Sequence, residues 1–114
     1  DWNMDGGDQA EVSDQGLLCS YSTKRKITEE EIQGYLNKDY SSYHFPGDRS
    51  VIQMIINEMY ALNGYKFQDE DLKNYYEKQD WYNKIESKTT DMAEIYRNMS
   101  KTEQDNIKLL KEYK

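Results

Sequence analysis

A chain of 114 residues with 36% hydrophobic and 32% charged side chains has room for one modest core but is too small to split convincingly into two domains. Its formal charge is -7, with ten acids against four bases before Arg49, and the only close basic cluster, Lys24, Arg25 and Lys26, runs straight into Glu29, Glu30 and Glu31. Phosphate binding needs a concentrated basic surface, so no nucleic-acid partner is expected. One cysteine, Cys19, and one histidine, His44, exclude an internal disulfide framework, a cysteine-cluster zinc site and a two-histidine metal site.

A mean hydropathy of -1.13 raises the question of disorder. Eleven Tyr, two Trp and two Phe answer it, because disordered chains are poor in rings that bury so much area. No apolar run approaches the roughly 20 residues of a membrane span, and no signal peptide opens the chain. A start at Asp1 without an initiator Met suggests an excised ectodomain or processed segment, with any membrane anchor outside this fragment. Leu17-Leu18-Cys19-Ser20 is not a lipidation box, since no apolar stretch and no small residue precede Cys19.

In chain order, residues 1–16 carry three glycines and few apolar side chains and read as a flexible leader, with Trp2 either docked or free. Leu17 to Tyr21 has the composition of a short strand or extended segment. Thr28 with Glu31 has the spacing of a capping box, and Ile27 with Ile32 that of a hydrophobic staple, which predicts a helix over 29–38 burying Ile32, Tyr35 and Leu36. Ser41, Ser42, Pro46, Gly47 and Asp48 make 40–49 a loop. Either Asp48 or Ser50 can cap the next helix, over 51–63, where Ile52, Ile55, Ile56, Met59 and Leu62 recur three or four apart and Gly64 stands at the left-handed C-cap position. This helix is apolar enough to be the central one.

Asp69 caps a further helix, to about residue 79, with Leu72, Tyr75 and Tyr76 inward; Trp81 and Tyr82 follow and close the core. Residues 83–90 read as an exposed connection. A short helix over 91–99 carries Met92, Ile95 and Tyr96. A second capping box, Ser100 with Glu103, opens the last helix, to near residue 113, with Ile107 and Leu110 inward. The fold class is mainly α: a small single-domain helical bundle of about four to five helices, with an irregular N-terminal segment over 1–23 and room for one short strand.

Asn57-Glu58-Met59-Tyr60-Ala61-Leu62-Asn63-Gly64-Tyr65-Lys66-Phe67, followed by Asp69, Leu72, Tyr75-Tyr76, Trp81-Tyr82 and a closing Asn106-Ile107-Lys108-Leu109-Leu110, resembles the YARHG domain of bacterial surface proteins in its order of landmarks. The likeness is strongest over 50–114, within a helical domain spanning 24–114. Ile56 stands where the family has Arg before Asn-Glu, and Leu62 and Asn63 replace the Arg and His of the family's name. What persists is Asn57, Glu58, Tyr60, Gly64, Phe67, Trp81 and Tyr82, so the signature reads here as a structural, helix-ending motif. The resemblance implies an extracellular module at the cell surface with no established enzymatic activity.

The candidate chemistry is correspondingly thin. Cys19 lacks the local signals of a nucleophile. The acid runs at 29–31 and 69–71 open predicted helices, where carboxylates stabilise the dipole while remaining solvated. Asn57 and Glu58, polar residues in an apolar helix, either bond loop backbone around 64–67 or the Trp81 turn, or form part of a ligand site. Tyr65, Tyr76 and Trp81 are the aromatics expected to offer a partly exposed binding patch. The expectation is a non-catalytic binding or sensing module without metal or cofactor, whose ligand is a cell-wall glycan or another surface protein. A structural spacer is the alternative, and a hydrolase using a carboxylate pair the third reading.

Overall fold

Side-chain caps set the helix starts. In the computed structural model, which describes residues 16–114, the helices are α1 (Glu29–Asn37), α2 (Val51–Leu62), α3 (Glu70–Glu77), α4 (Asp80–Asn83), α5 (Met92–Asn98) and α6 (Lys101–Lys111). Thr28, Ser50, Asp69, Asp91 and Ser100 each accept a hydrogen bond from a backbone N–H of the first turn that follows. Thr28 with Glu31 and Ser100 with Glu103 complete both predicted capping boxes. Ser50, not Asp48, caps α2. The leader expected at the N-terminus lies, Gly16 apart, outside the described residues, as does Trp2.

Helix α2 is the central element, with nine of its twelve residues buried. It packs on α1 and α6. One side joins Ile52, Ile55, Ile56 and Met59 to Ile27, Ile32, Ile95, Ile107 and Leu110. The other contributes Met54 and Ala61 to a second, aromatic cluster with Phe67, Leu72, Tyr76 and Tyr82. A helix with apolar side chains on most of its circumference is stable only when covered this way.

Three expectations are corrected. Leu17–Tyr21 forms no strand; it runs into successive turns, and the described residues contain only one isolated parallel bridge, between Tyr65 and Thr89. The helix expected to reach residue 79 stops at Glu77, and a separate single turn, α4, carries Trp81 and Tyr82. Leu36 is 42% exposed rather than part of the α1 stripe. The inner face of α1 runs through Ile32 to Tyr35, whose hydroxyl bonds the Leu18 carbonyl at 3.2 Å, leaving Leu36 on the rim.

Gly64 ends α2 as its position predicts. The Gly64 N–H bonds the Ala61 carbonyl and the Tyr65 N–H the Tyr60 carbonyl, both at 3.0 Å, which is the Schellman arrangement. The apolar contact that accompanies this motif is present too, the Tyr60 and Tyr65 rings lying edge to face at 6.3 Å. Gly64 has φ 89°, and a Cβ there would stand 2.9 Å from the Ser87 carbonyl oxygen. Backbone strain and backbone contact therefore both oppose a side chain. Gly64→Ala is expected to lower unfolding free energy by about 2 kcal/mol, read as an earlier urea midpoint with an unchanged slope. A midpoint equal to that of the unsubstituted chain would refute this assignment.

Candidate functional site

The polar landmarks of the signature fasten the segment 16–27 to the bundle. Glu58 is 3% exposed, and its two carboxylate oxygens accept the backbone N–H groups of Leu18 at 2.8 Å and Cys19 at 3.1 Å. Among the described residues no basic side chain pairs with it. Burial pushes its pKa up from the ordinary 4.5 to about 7, against the downward pull of the two amides. The titratable groups that interact with its charge are Cys19, Tyr75 and Tyr76.

Asn106 fastens the other end of that segment. Its Oδ1 accepts the Ile27 N–H at 2.9 Å, and its Nδ2 donates to the carbonyls of Ser22 and Arg25, both at 2.9 Å. Asn63, at the family's His position, donates through Nδ2 to the Met59 carbonyl at 2.9 Å and to Glu103 Oε2 at 2.8 Å, tying the end of α2 to α6. Asn57 is buried, and its Oδ1 accepts from Gln53 Nε2 at 3.2 Å. Glu58 thus bonds backbone, as one sequence reading allows, but at Leu18 and Cys19 and not around Gly64 to Phe67 or the Trp81 turn.

The aromatics Tyr65, Tyr76 and Trp81 build the second core. Tyr76 is 1% exposed and stacks on Phe67 at 4.7 Å with 12° between the rings. Tyr65 and Trp81 are half-buried, edge-on to Phe67 at 4.9 Å and to Tyr76 at 6.0 Å respectively. Tyr82, buried beside them, donates its hydroxyl to the Tyr65 carbonyl at 2.7 Å. The expected exposed patch does not form at Tyr76, because the single turn of α4 folds Trp81 and Tyr82 back against α3.

Exposed aromatic surface lies instead between α1 and α2. The loop 40–49 clusters Tyr40, Tyr43 and Phe45 with ring centroids 4.9 to 6.0 Å apart. Tyr43 is 46% exposed and Leu36 42%. A cleft of about 490 Å³ opens here, lined by Tyr35, Leu36, Tyr40, Phe45 and Val51 and by the polar Lys38, Ser41, His44, Asp48, Arg49 and Ser50. Its size suits a small ligand. Lys38 holds its ammonium 5.4 Å over the Tyr40 ring.

Two lining residues have left-handed backbone, His44 with φ 51° and Asp48 with φ 56°, and among the described residues no other non-glycine does. Each costs energy that surrounding structure must hold in place, and such residues gather at functional sites. Arg49 supplies part of that hold, donating to the Pro46 carbonyl at 2.8 Å and pairing with Asp69, the α3 cap, at 3.2 Å. The sequence signal for this cleft was aromatic side chains within a Ser, Pro and Gly-rich loop, where no helical period accounts for them.

Other candidate chemistry is placed as follows. Cys19 is 1% exposed, and burial raises its thiol pKa, opposite to what a reactive thiolate requires. Glu29, Glu30 and Glu31 occupy the first turn of α1, and Arg25 holds the Glu31 carboxyl down at about 2. Among the described residues, no group of three His, Cys, Asp or Glu is arranged to hold a metal ion, and no helix is long and apolar enough to cross a membrane.

Comparison with known proteins gives one result: the family model of the YARHG domain matches residues 24–114. No curated protein and no solved structure matches. The family match extends upstream of the signature to include α1, the aromatic loop and the Asn106 partners Arg25 and Ile27.

Glu58 and Glu31 act on stability in opposite pH windows. The Glu58 pKa is raised on folding, so its contribution is full below 4.5 and lost as pH rises through about 7, a fall on the order of 3 kcal/mol. The Glu31 pKa is depressed, so its contribution is present above 4.5 and lost as pH falls towards about 2. Urea unfolding at pH 5 and pH 8 is expected to show higher stability at pH 5, with the difference much reduced in Glu58→Gln. Equal stability at the two pH values, or a full difference retained by the variant, would count against Glu58 as the source.

Proposed function

The chain belongs to the YARHG domain family, and on that premise we propose that it is a non-catalytic extracellular binding or sensing module of a bacterial surface or secreted protein. Its working surface is the aromatic cleft between α1 and α2. The observation that carries this reading is the meeting of exposed Leu36 with the strained His44 and Asp48 on one loop-built cleft, while exposed Tyr43 packs on the lining rings of Tyr40 and Phe45 and borders the adjoining hollow. Apolar side chains that could have been buried and backbone that could have relaxed are both kept at this place, which is the pattern of a ligand surface.

Absence of catalysis is supported by what the acidic clusters do. Those at 29–31 and 69–71 stabilise helix starts, and the buried Glu58 is spent on backbone amides.

Saturable binding of the purified chain to isolated bacterial wall fragments or to a surface-protein extract is the test. Tyr43→Ala is expected to weaken it about tenfold, as loss of an exposed aromatic anchor does, while the melting temperature stays within a degree or so, since the ring is nearly half exposed. No saturable binding to either material would favour a structural spacer. Release of soluble sugars from the wall fragments, abolished by changing one acidic pair, would favour a hydrolase.

A further inference from the structure

Three hollows share two tyrosines and a lysine. Besides the 490 Å³ cleft, a hollow of about 300 Å³ is lined by Gly16, Leu17, Leu18 and Tyr43, and another of about 280 Å³ by Tyr21, Glu31 and Gly34; Tyr35, Lys38 and Tyr40 line all three. Tyr40 therefore stands on a wall common to adjoining hollows and does not close the end of a single deep one. A compact ligand would use one hollow and leave the others idle. A linear ligand of repeating units can place one unit on each side of the ring, and the charge on Lys38 reaches the shared rim.

The lining chooses among linear polymers. A peptide added as a strand needs a sheet edge, and the described residues contain no strand. A peptide helix needs a continuous apolar groove, whereas this rim alternates Tyr40 and Phe45 with Lys38, Ser41, His44, Asp48 and Arg49. A nucleic acid or other polyanion meets too little free positive charge, because Arg49 is paired with Asp69 and Asp48 lines the same cleft. A sugar ring presents an apolar face to an aromatic ring and a rim of hydroxyls that both donate and accept. Tyrosine rings bordered by ammonium, hydroxyl and carboxylate groups match both features.

Resting on the binding-module reading, we propose that the cleft binds a linear oligosaccharide laid across Tyr40, with sugar rings seated in the hollows on either side and hydroxyls bonded to Lys38 and Asp48. The hollow on the far side of Tyr40 is walled by Gly16, Leu17 and Leu18, and the Glu58 clasp on Leu18 and Cys19 holds that wall in register. The clasp residue itself stays out of ligand contact.

The test titrates the full chain with N-acetylglucosamine and its disaccharide and tetrasaccharide, and with other neutral linear oligosaccharides of matched length, following backbone amide shifts. Affinity is expected to rise at least about tenfold from the single sugar to the tetrasaccharide in one of the series, with shifts gathered on residues 35–49 and 16–18. Tyr40→Ala and, as a variant at a more exposed ring, Tyr43→Ala should each weaken binding about tenfold, while Lys108→Gln on the exposed side of α6 should not. Binding without length dependence, or binding unaffected by both tyrosine variants, would overturn the proposal. If no oligosaccharide binds but a peptide or surface protein shifts the same residues, the saccharide assignment falls and the binding-module reading stands. If nothing binds, both fall.

Discussion

Helix α2 is covered on nearly every side, and a polar side chain on such a helix must find a partner inside the protein or carry the full cost of lost hydration. Glu58 meets that requirement with two consecutive backbone amides from a segment 39 and 40 residues away in sequence. The same two bonds satisfy donors on a stretch without regular structure, which would otherwise have nowhere to place them. A single buried carboxylate thus solves a problem for the helix and another for the chain that precedes it. Asn106 repeats the device from α6, accepting one N–H and donating to two carbonyls.

Fastened at both ends, the segment 16–27 is part of the domain wall. Its inner side meets α1 through the bond from the Tyr35 hydroxyl to the Leu18 carbonyl, and its outer side borders the hollows around Tyr40. The opposite wall is the loop 40–49, drawn towards α3 by Arg49 and Asp69. The hollow of about 300 Å³ beside the cleft therefore lies between two irregular segments, each held by a specific polar contact to a helix. Loops on a rigid scaffold are where binding side chains usually sit, since their backbone is free of helical hydrogen-bonding constraints.

The family signature takes on a structural meaning in this setting. Asn57 and Glu58 face inward from α2, Gly64 reverses the chain with a left-handed backbone, and Phe67 stacks on Tyr76 in the second core. Asn63 stands where the family has His, and its amide spans the gap between the end of α2 and Glu103. Leu62, in place of Arg, is half-buried. None of these residues lines the aromatic cleft.

Sequence alone determined the features made within one helical turn. The capping boxes at Thr28 and Ser100, the amphipathic period of α2 and the glycine that ends it are hydrogen-bonding and steric events among residues three to five apart, so neighbouring letters suffice to specify them. The tertiary structure decided how far each tyrosine would be covered: of the adjacent pair read as inward, Tyr76 is buried and Tyr75 only half-buried, and Tyr43 was left outside. It also decided what Glu58 would bond, where the short turn of α4 would fold back, and that Leu36 would lie on the rim of a cleft. These outcomes depend on contacts between segments tens of residues apart, and a pattern of neighbouring side chains records that a residue can be buried without recording which distant segment arrives to bury it.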